Sequence, residues 1–271
     1  MSDFVDVFRR LHDGPTPFRL VNAWDAVSAR VVALAGAPAL ATSSFAVAFA
    51  HGYADGEQMP WVDVCHSVEA IVAAADVPVS VDIEAGRGVL PAAVEAAVAD
   101  MVALGAAGIN LEDRRSDASN ALFDTQQQCE RIAAARTVGS SGVFINARCD
   151  VFFGVDIPPH EQLDAALSRT TSYVEAGADG VFLPGLVNPE LIRHVVDAVS
   201  APLNVMLWPG LPAFAELADA GVRRISQGAA SFLSTLGYLE RSTRAFLEGE
   251  PADFGGDVVP AFHLIPSLSY R

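Results

Sequence analysis

Asp82 and Glu84 stand two residues apart at the end of the apolar, β-branched run V-P-V-S-V-D-I-E-A-G-R-G (77–88). Residues two apart on a strand project from the same face. A strand buried on both faces has no structural use for two acids on one face, because each charge would have to be desolvated. At the mouth of a barrel, the same pair can hold a divalent cation. A salt-bridged rim, with Arg87 as partner, is the alternative use. Other polar residues fall at comparable places: Asn22 and Asp25, Ser43 and Ser44, Glu112 and Asp113, Arg148 and Asp150, and Asn204. Several acids, one arginine and two small hydroxyls would meet at one end of the fold if each follows a strand. Arg148 can grip an oxyanion or neutralise the neighbouring acids; Ser43 and Ser44 can touch a ligand or satisfy backbone at a strand end.

The elements that would position them alternate. Buried-strand patterns run over 19–22, 39–42, 77–82, 108–112, 143–148, 180–183, 203–206 and 223–226. Helical patterns fill 25–34, 61–75, 91–104, 125–138, 160–176, 188–199, 211–220 and 227–247, after a short N-terminal helix at 3–11. Eight βα units in a chain of this length predict an α/β fold, a parallel (β/α)8 TIM-type barrel. A weak echo (L-G-A-A-G-I-N-L at 104–111, A-G-A-D-G-V-F-L at 176–183, A-G-V-R-R-I-S at 220–226) ends a helix on glycine and launches a strand each time. Residues 1–247 read as one barrel domain and 248–271 as a tail packed on the barrel or on a partner subunit. In a parallel barrel, the chemistry sits at the C-terminal ends of the strands.

Composition removes whole classes. The net charge of −16 argues against nucleic-acid or anionic-membrane partners. All 17 basic residues are arginine, so a lysine Schiff base and a Walker lysine are both excluded. Three cysteines without C-x-x-C spacing indicate neither a disulfide framework nor a zinc knuckle, and fit a reducing cytoplasm. The N-terminus shows no secretory pattern. Residues 31–50 are uncharged, yet Gly36, Pro38, Thr42, Ser43 and Ser44 interrupt them. A buried helix end, a turn and a buried strand account for them better than a membrane span.

Seven segments together, N-A-W-D-A-V-S-A-R (22–30), A-T-S-S (41–44), G-Y-A-D-G-E-Q-M-P (52–60), V-D-I-E-A-G (81–86), I-N-L-E-D (109–113), I-N-A-R-C-D (145–150) and P-L-N-V-M (202–206), resemble the isocitrate lyase and phosphoenolpyruvate mutase superfamily. The likeness spans about residues 18–247. It implies a barrel whose last helix is swapped between subunits of a dimer or tetramer, a Mg²⁺ site (Mn²⁺ possible in its place), and a pyruvate-like enolate. By the same resemblance, Asp82 ligates the metal directly, while Glu84 and Glu112 hold its waters. Ser43, Ser44, Trp24 and Asn204 would contact a small carboxylic acid. Arg148 would pair with its oxygens, Asp55 would orient it, and Asn120 would stand in for a loop asparagine used by the mutase branch.

The departures restrict the chemistry. Isocitrate-cleaving members carry Lys-Lys-Cys-Gly-His after strand four, whereas this loop reads R-R-S-D-A-S-N-A-L-F-D (114–124). Isocitrate lyase activity is not expected. The resemblance implies a Mg²⁺-dependent lyase that cleaves a C–C bond of a small 2-oxo or 2-hydroxy acid, by retro-aldol cleavage or decarboxylation. Two alternatives are a P–C bond enzyme of the mutase or phosphonopyruvate hydrolase type, whose usual lysine is absent here, and a non-catalytic acid-binding barrel. His51, Cys149, Phe45 and Phe49 read as loop or packing residues.

Overall fold

The computed structural model describes residues 2–117, 119, 121–138, 142–249 and 264–268. Eight parallel strands close into a barrel in chain order: β1 (Phe18–Ala23), β2 (Leu40–Thr42), β3 (Val79–Asp82), β4 (Gly108–Glu112), β5 (Phe144–Arg148), β6 (Gly180–Phe182), β7 (Leu203–Met206) and β8 (Arg224–Ser226), with β8 pairing back to β1. The expected (β/α)8 architecture is therefore the observed one. Helices wrap it: α1 (Ser2–Arg10), α2 (Ala26–Leu34), α3 (Ser44–Ala50), α4 (Trp61–Ala74), α5 (Pro91–Ala103), α6 (Thr125–Thr137), α7 (Gln162–Glu175), α8 (Pro189–Ala198), α9 (Phe214–Asp219) and α10 (Ala230–Leu247).

Local chemistry sets the helix starts. Asp25 accepts from the Ser28 N–H in a capping box, Asn188 caps α8 ahead of Pro189, and Asp124 caps α6. The uncharged stretch 31–50 resolves into the end of α2, a turn, β2 and the unforeseen short α3, whose N-cap is Ser43. None of the described helices is long and apolar enough to cross a membrane. The 211–220 pattern shortens to the six residues of α9; Pro212 disfavours the helical region for Leu211 before it. Most of the expected tail lies outside the described residues; of it, Ile265–Leu268 forms a single helical turn near α2, where Arg30 donates to the Ser267 carbonyl.

The barrel interior follows from register. Parallel partners face the same way, so Asp82, Asn110, Asn146 and Gly180 form one inward row, and Glu112, Arg148, Phe182, Asn204 and Arg224 another. Barrels usually fill this space with branched apolar side chains; here amides and charges occupy the middle. Between strands and helices lies the main apolar core, including Val81, Ile109, Leu111, Ile145 and Val181. At the N-terminal end, α1 plugs the barrel. Phe8 meets Phe18 and Phe144 edge-on, and His12 stacks on Phe144 at 4.1 Å. Gly108 is needed there, since a Cβ on it would come within 2.8 Å of the Phe8 ring.

Candidate active site

The strand ends deliver the expected acids to one place. A cavity of about 270 Å³ at the C-terminal mouth is lined on one side by Ser43, Ser44, Asp55, Asp82, Asn110 and Arg148. A second recess beside it is lined by Ser44, Asp55, Glu84, Glu112 and Arg114. Asp82 closes β3. Its Oδ2 accepts from the Ser44 hydroxyl at 2.9 Å and its Oδ1 from the Glu84 N–H at 3.2 Å, while its own N–H donates to the Thr42 hydroxyl.

Glu84 is not a strand residue as its spacing suggests. The strand ends at Asp82, and Glu84 sits in the left-handed region at φ 55°. Glu57 and Arg87 share that conformation, at φ 63° and 64°. For side-chain-bearing residues each such position costs about 1–2 kcal/mol, and hydrogen bonds across two loops hold all three. The Glu57 N–H and the Arg87 guanidinium both donate to the Glu84 carboxylate, and the Arg87 N–H donates to the Glu57 carboxylate at 2.6 Å. The loop after β2 is thereby fastened to the turn after β3. Gly86, at φ 78°, completes the turn; a Cβ there would reach within 2.9 Å of Val94. The Glu84–Arg87 ion pair forms as the rim reading anticipated, but Asp82 has no arginine partner among the described residues.

Arg148 is the most constrained cation at the mouth. Its Nε and Nη2 donate to the two oxygens of Asp150 at 2.6 and 2.8 Å, and its Nη1 lies 2.7 Å from Glu112. Asp150 is fixed in turn, its N–H donating to Asp113 at 2.9 Å. Asp113 also accepts from the Tyr173 hydroxyl at 2.7 Å and from Arg169. Asp113 is therefore a buried strut and not a site acid.

Burial shapes the protonation of these groups. Glu84 is pushed up to about 7 by desolvation, against the pull of Arg87 and with the charge of Asp82 adding to the rise. Desolvation also raises Glu112 well above the carboxylate range, opposed by Arg148, and raises Asp55, assisted by Asp82. Arg148 stays protonated because Asp150 and Glu112 outweigh its desolvation. The mouth thus concentrates oxygen donors whose mutual repulsion a cation would relieve. Among the described residues no three His, Cys, Asp or Glu side chains form a cage for an ion. Mg²⁺ needs none: it is commonly held by one or two carboxylates with waters and substrate oxygens. The all-oxygen donor set around Asp82 fits such an ion.

Two expected contacts, Trp24 and Asn204, are not brought to the mouth cavity. Trp24 turns away past the end of β1, packs on Phe232, and lines a separate hollow with Asp25 and His51. Asn204 is buried beneath the cavity, because the next inward residue on β7, Met206, takes the mouth position. Asn120 lies outside the described residues. Cys149 is fully buried in the core, as a small apolar residue would be.

Sequence reasoning missed Asn110, Phe153, Phe182, Met206 and Trp208, which also line the cavity. The amide of Asn110 is oriented by chemistry: Asn146 Nδ2 and Arg224 Nη2 both donate to its Oδ1, at 2.8 and 3.4 Å. Only its oxygen can face an arginine, which turns its N–H₂ group away from those donors. The inward parity of I-N-L-E-D carried a signal for Asn110. Nothing local marked the aromatic residues.

Residues 8–247 match the family model described as phosphoenolpyruvate phosphomutase. An uncharacterised protein of Mycobacterium tuberculosis is 34% identical over 248 residues, covering 90% of each chain. A 2-methylisocitrate lyase of Halalkalibacterium halodurans is 30% identical over 209 residues, 74% of this chain and 67% of that one. A crystal structure from Burkholderia cenocepacia J2315 that bears a phosphonomutase name superposes with a TM-score of 0.85 at 45% identity, covering 89% of this chain and 99% of the other. With the barrel and the acid-lined mouth in agreement, the chain belongs to the phosphoenolpyruvate phosphomutase family, within the isocitrate lyase and phosphoenolpyruvate mutase superfamily.

Proposed function

We propose that the chain is a Mg²⁺-dependent carbon–carbon lyase acting on a small 2-oxo or 2-hydroxy acid, by retro-aldol cleavage or decarboxylation. The observation that carries this reading is the convergence of Ser44, Asp55, Asp82 and Arg148 on one cavity. Asp82 would hold the ion directly, and Glu84 and Glu112, already engaged by Arg87 and Arg148, through water; Mn²⁺ could replace Mg²⁺. Bound there, the ion would supply Lewis acidity to the substrate's oxygens.

This chain's residues do the rest. A guanidinium has five N–H groups; three of those on Arg148 are taken by Asp150 and Glu112. Two remain to meet the oxyanion that develops as the bond breaks and charge spreads into a pyruvate-like enolate. Because both acids fix the guanidinium beforehand, little reorganisation is required during reaction. Ser43 and the backbone N–H groups beside it would bind the substrate carboxylate, and Asp55 would orient the substrate from the loop after β2. Asn120 would stand in for the loop asparagine of the mutase branch.

The test is incubation with candidate acids, with and without EDTA, following release of pyruvate or another short oxo acid. Loss of turnover on chelation and in Asp82→Ala is expected; turnover by metal-free enzyme would overturn the mechanism. P–C bond chemistry is the second reading, favoured by the family model. Phosphorus NMR with phosphonopyruvate distinguishes it. We also propose a cytoplasmic homo-oligomer with α10 exchanged between subunits. Its support is the exposed apolar set Leu233, Leu236, Leu239, Phe246 and Leu247 on that helix, and light scattering checks it.

A further inference from the structure

The mouth cavity is chemically divided. Its β2–β5 side carries the hydroxyls, acids and Arg148, whereas the opposite side is built from Phe153, Phe182, Pro184, Met206 and Trp208. The division follows the strands. Phe182 is the inward register partner of Arg148, and Met206 is the last residue of β7. Beyond them, Phe153 and Trp208 meet edge-to-face, their centroids 5.3 Å apart and their planes at 82°, bridging the loops after β5 and β7. The Phe153 ring also lies 5.5 Å from the Arg148 guanidinium and 5.7 Å from that of Arg114.

Charge sharpens the division. Arg114 and Arg148 are the only cations lining this cavity among the described residues, and both are paired with the buried carboxylate of Asp150. A carboxylate placed against β6 and β7 would meet hydrocarbon, with Asp150 already facing both guanidinium groups and with Asp55 and Asp82 across the cavity. Desolvating it there is unfavourable. An alkyl or aryl group in the same place gains from burial.

On the acid-lyase reading, on which this inference rests, we infer that the substrate is a 2-oxo or 2-hydroxy acid with an uncharged hydrocarbon substituent, an alkyl chain or a phenyl ring, on the end that faces β6 and β7. The cavity selects against acids with a further carboxylate at that end. Phe153 and Trp208 are the specificity-determining residues.

The test holds the head group constant and changes the tail. Oxamate, N-benzyloxamate and N-carboxymethyloxamate are titrated calorimetrically into the full-length protein with Mg²⁺. N-benzyloxamate is expected to bind at least about tenfold more tightly than oxamate, the scale on which apolar pockets read added hydrocarbon. N-carboxymethyloxamate should bind more weakly than oxamate. Equal or tighter binding of the carboxymethyl compound relative to the benzyl compound overturns the inference and leaves the acid-lyase reading standing. Failure of all three to bind overturns both. In Trp208→Ala the benzyl-to-oxamate affinity ratio should fall severalfold, and Trp208→Phe should restore most of it. Trp208 is 45% exposed, so its truncation leaves the core intact. An unchanged ratio would show that the aromatic wall does not read the tail.

Discussion

Two arginines, Arg148 on β5 and Arg224 on β8, face inward along one register row, separated by Phe182 and Asn204. Arg224 is fully buried and Arg148 nearly so, and they have opposite surroundings. Arg148 is gripped by Asp150 and Glu112, which keep it protonated against desolvation. Among the described residues, Arg224 has no carboxylate within ion-pair distance. Its Nε and Nη1 find no partner there, its Nη2 reaches only Asn110, and the Phe8 ring stands 5.8 Å away. Burial pulls it down to about 9, with distant Asp82 opposing. At the mouth, buried charge is matched by buried counter-charge, and the guanidinium is held in one orientation. At the floor, charge is carried without that support. Pairing marks where an orientation matters.

Breaking the paired member should have the largest effect. Arg148→Met would leave Glu112 buried and uncompensated and Asp150 with Arg114 alone, at a cost of about 3–5 kcal/mol, read by urea denaturation. If Arg148 meets the developing oxyanion, kcat/KM should also fall by about 10²–10³. A variant of normal stability and activity would erase the contrast.

The floor can be probed by pH. His12 is lowered to about 3, first by burial and then by the charge of Arg224, while its Nδ1 contacts the Phe8 carbonyl at 2.9 Å. Its folded value lies below the unfolded value near 6.5. Stability from this group is therefore complete above about pH 6.5 and is lost as the pH falls toward 3, since only the unfolded chain takes up the proton. Between pH 7 and 5.5 the loss should be about 1 kcal/mol. His12→Phe, which keeps the ring, should flatten this part of the stability curve, and an unchanged slope would place the titration elsewhere.

The smallest effect is expected from Arg224→Met. Removing a buried charge that has no ion-pair partner should change stability by no more than about 1 kcal/mol, or raise it. A loss comparable to that of Arg148→Met would show that Arg224 supports the barrel through Asn110.

Much of this was legible in the sequence. The βα alternation gave the barrel, and strand-end position placed Ser43, Ser44, Asp82, Glu112 and Arg148 correctly because register in a closed parallel sheet is set by periodic burial. Glu84 shows the limit: period-two reasoning holds only while the chain is extended, and the strand stops two residues before it. Trp24 shows another. Its place after β1 was right, but its side chain turned outward toward Phe232. Asp150 was noted as an acid after β5, yet its grip on Arg148 depends on Asp113 and Tyr173, more than twenty residues away on either side.

The amino-acid order by itself determined the (β/α)8 alternation, the exclusion of lysine chemistry and the acids at the strand ends, because each depends on residue type and local period. Only tertiary structure decided which buried charges are paired, which loops are fastened together through residues in the left-handed region, and that an aromatic wall faces the acids. Those features arise between elements distant in the chain, where contact depends on barrel closure and not on neighbouring residues.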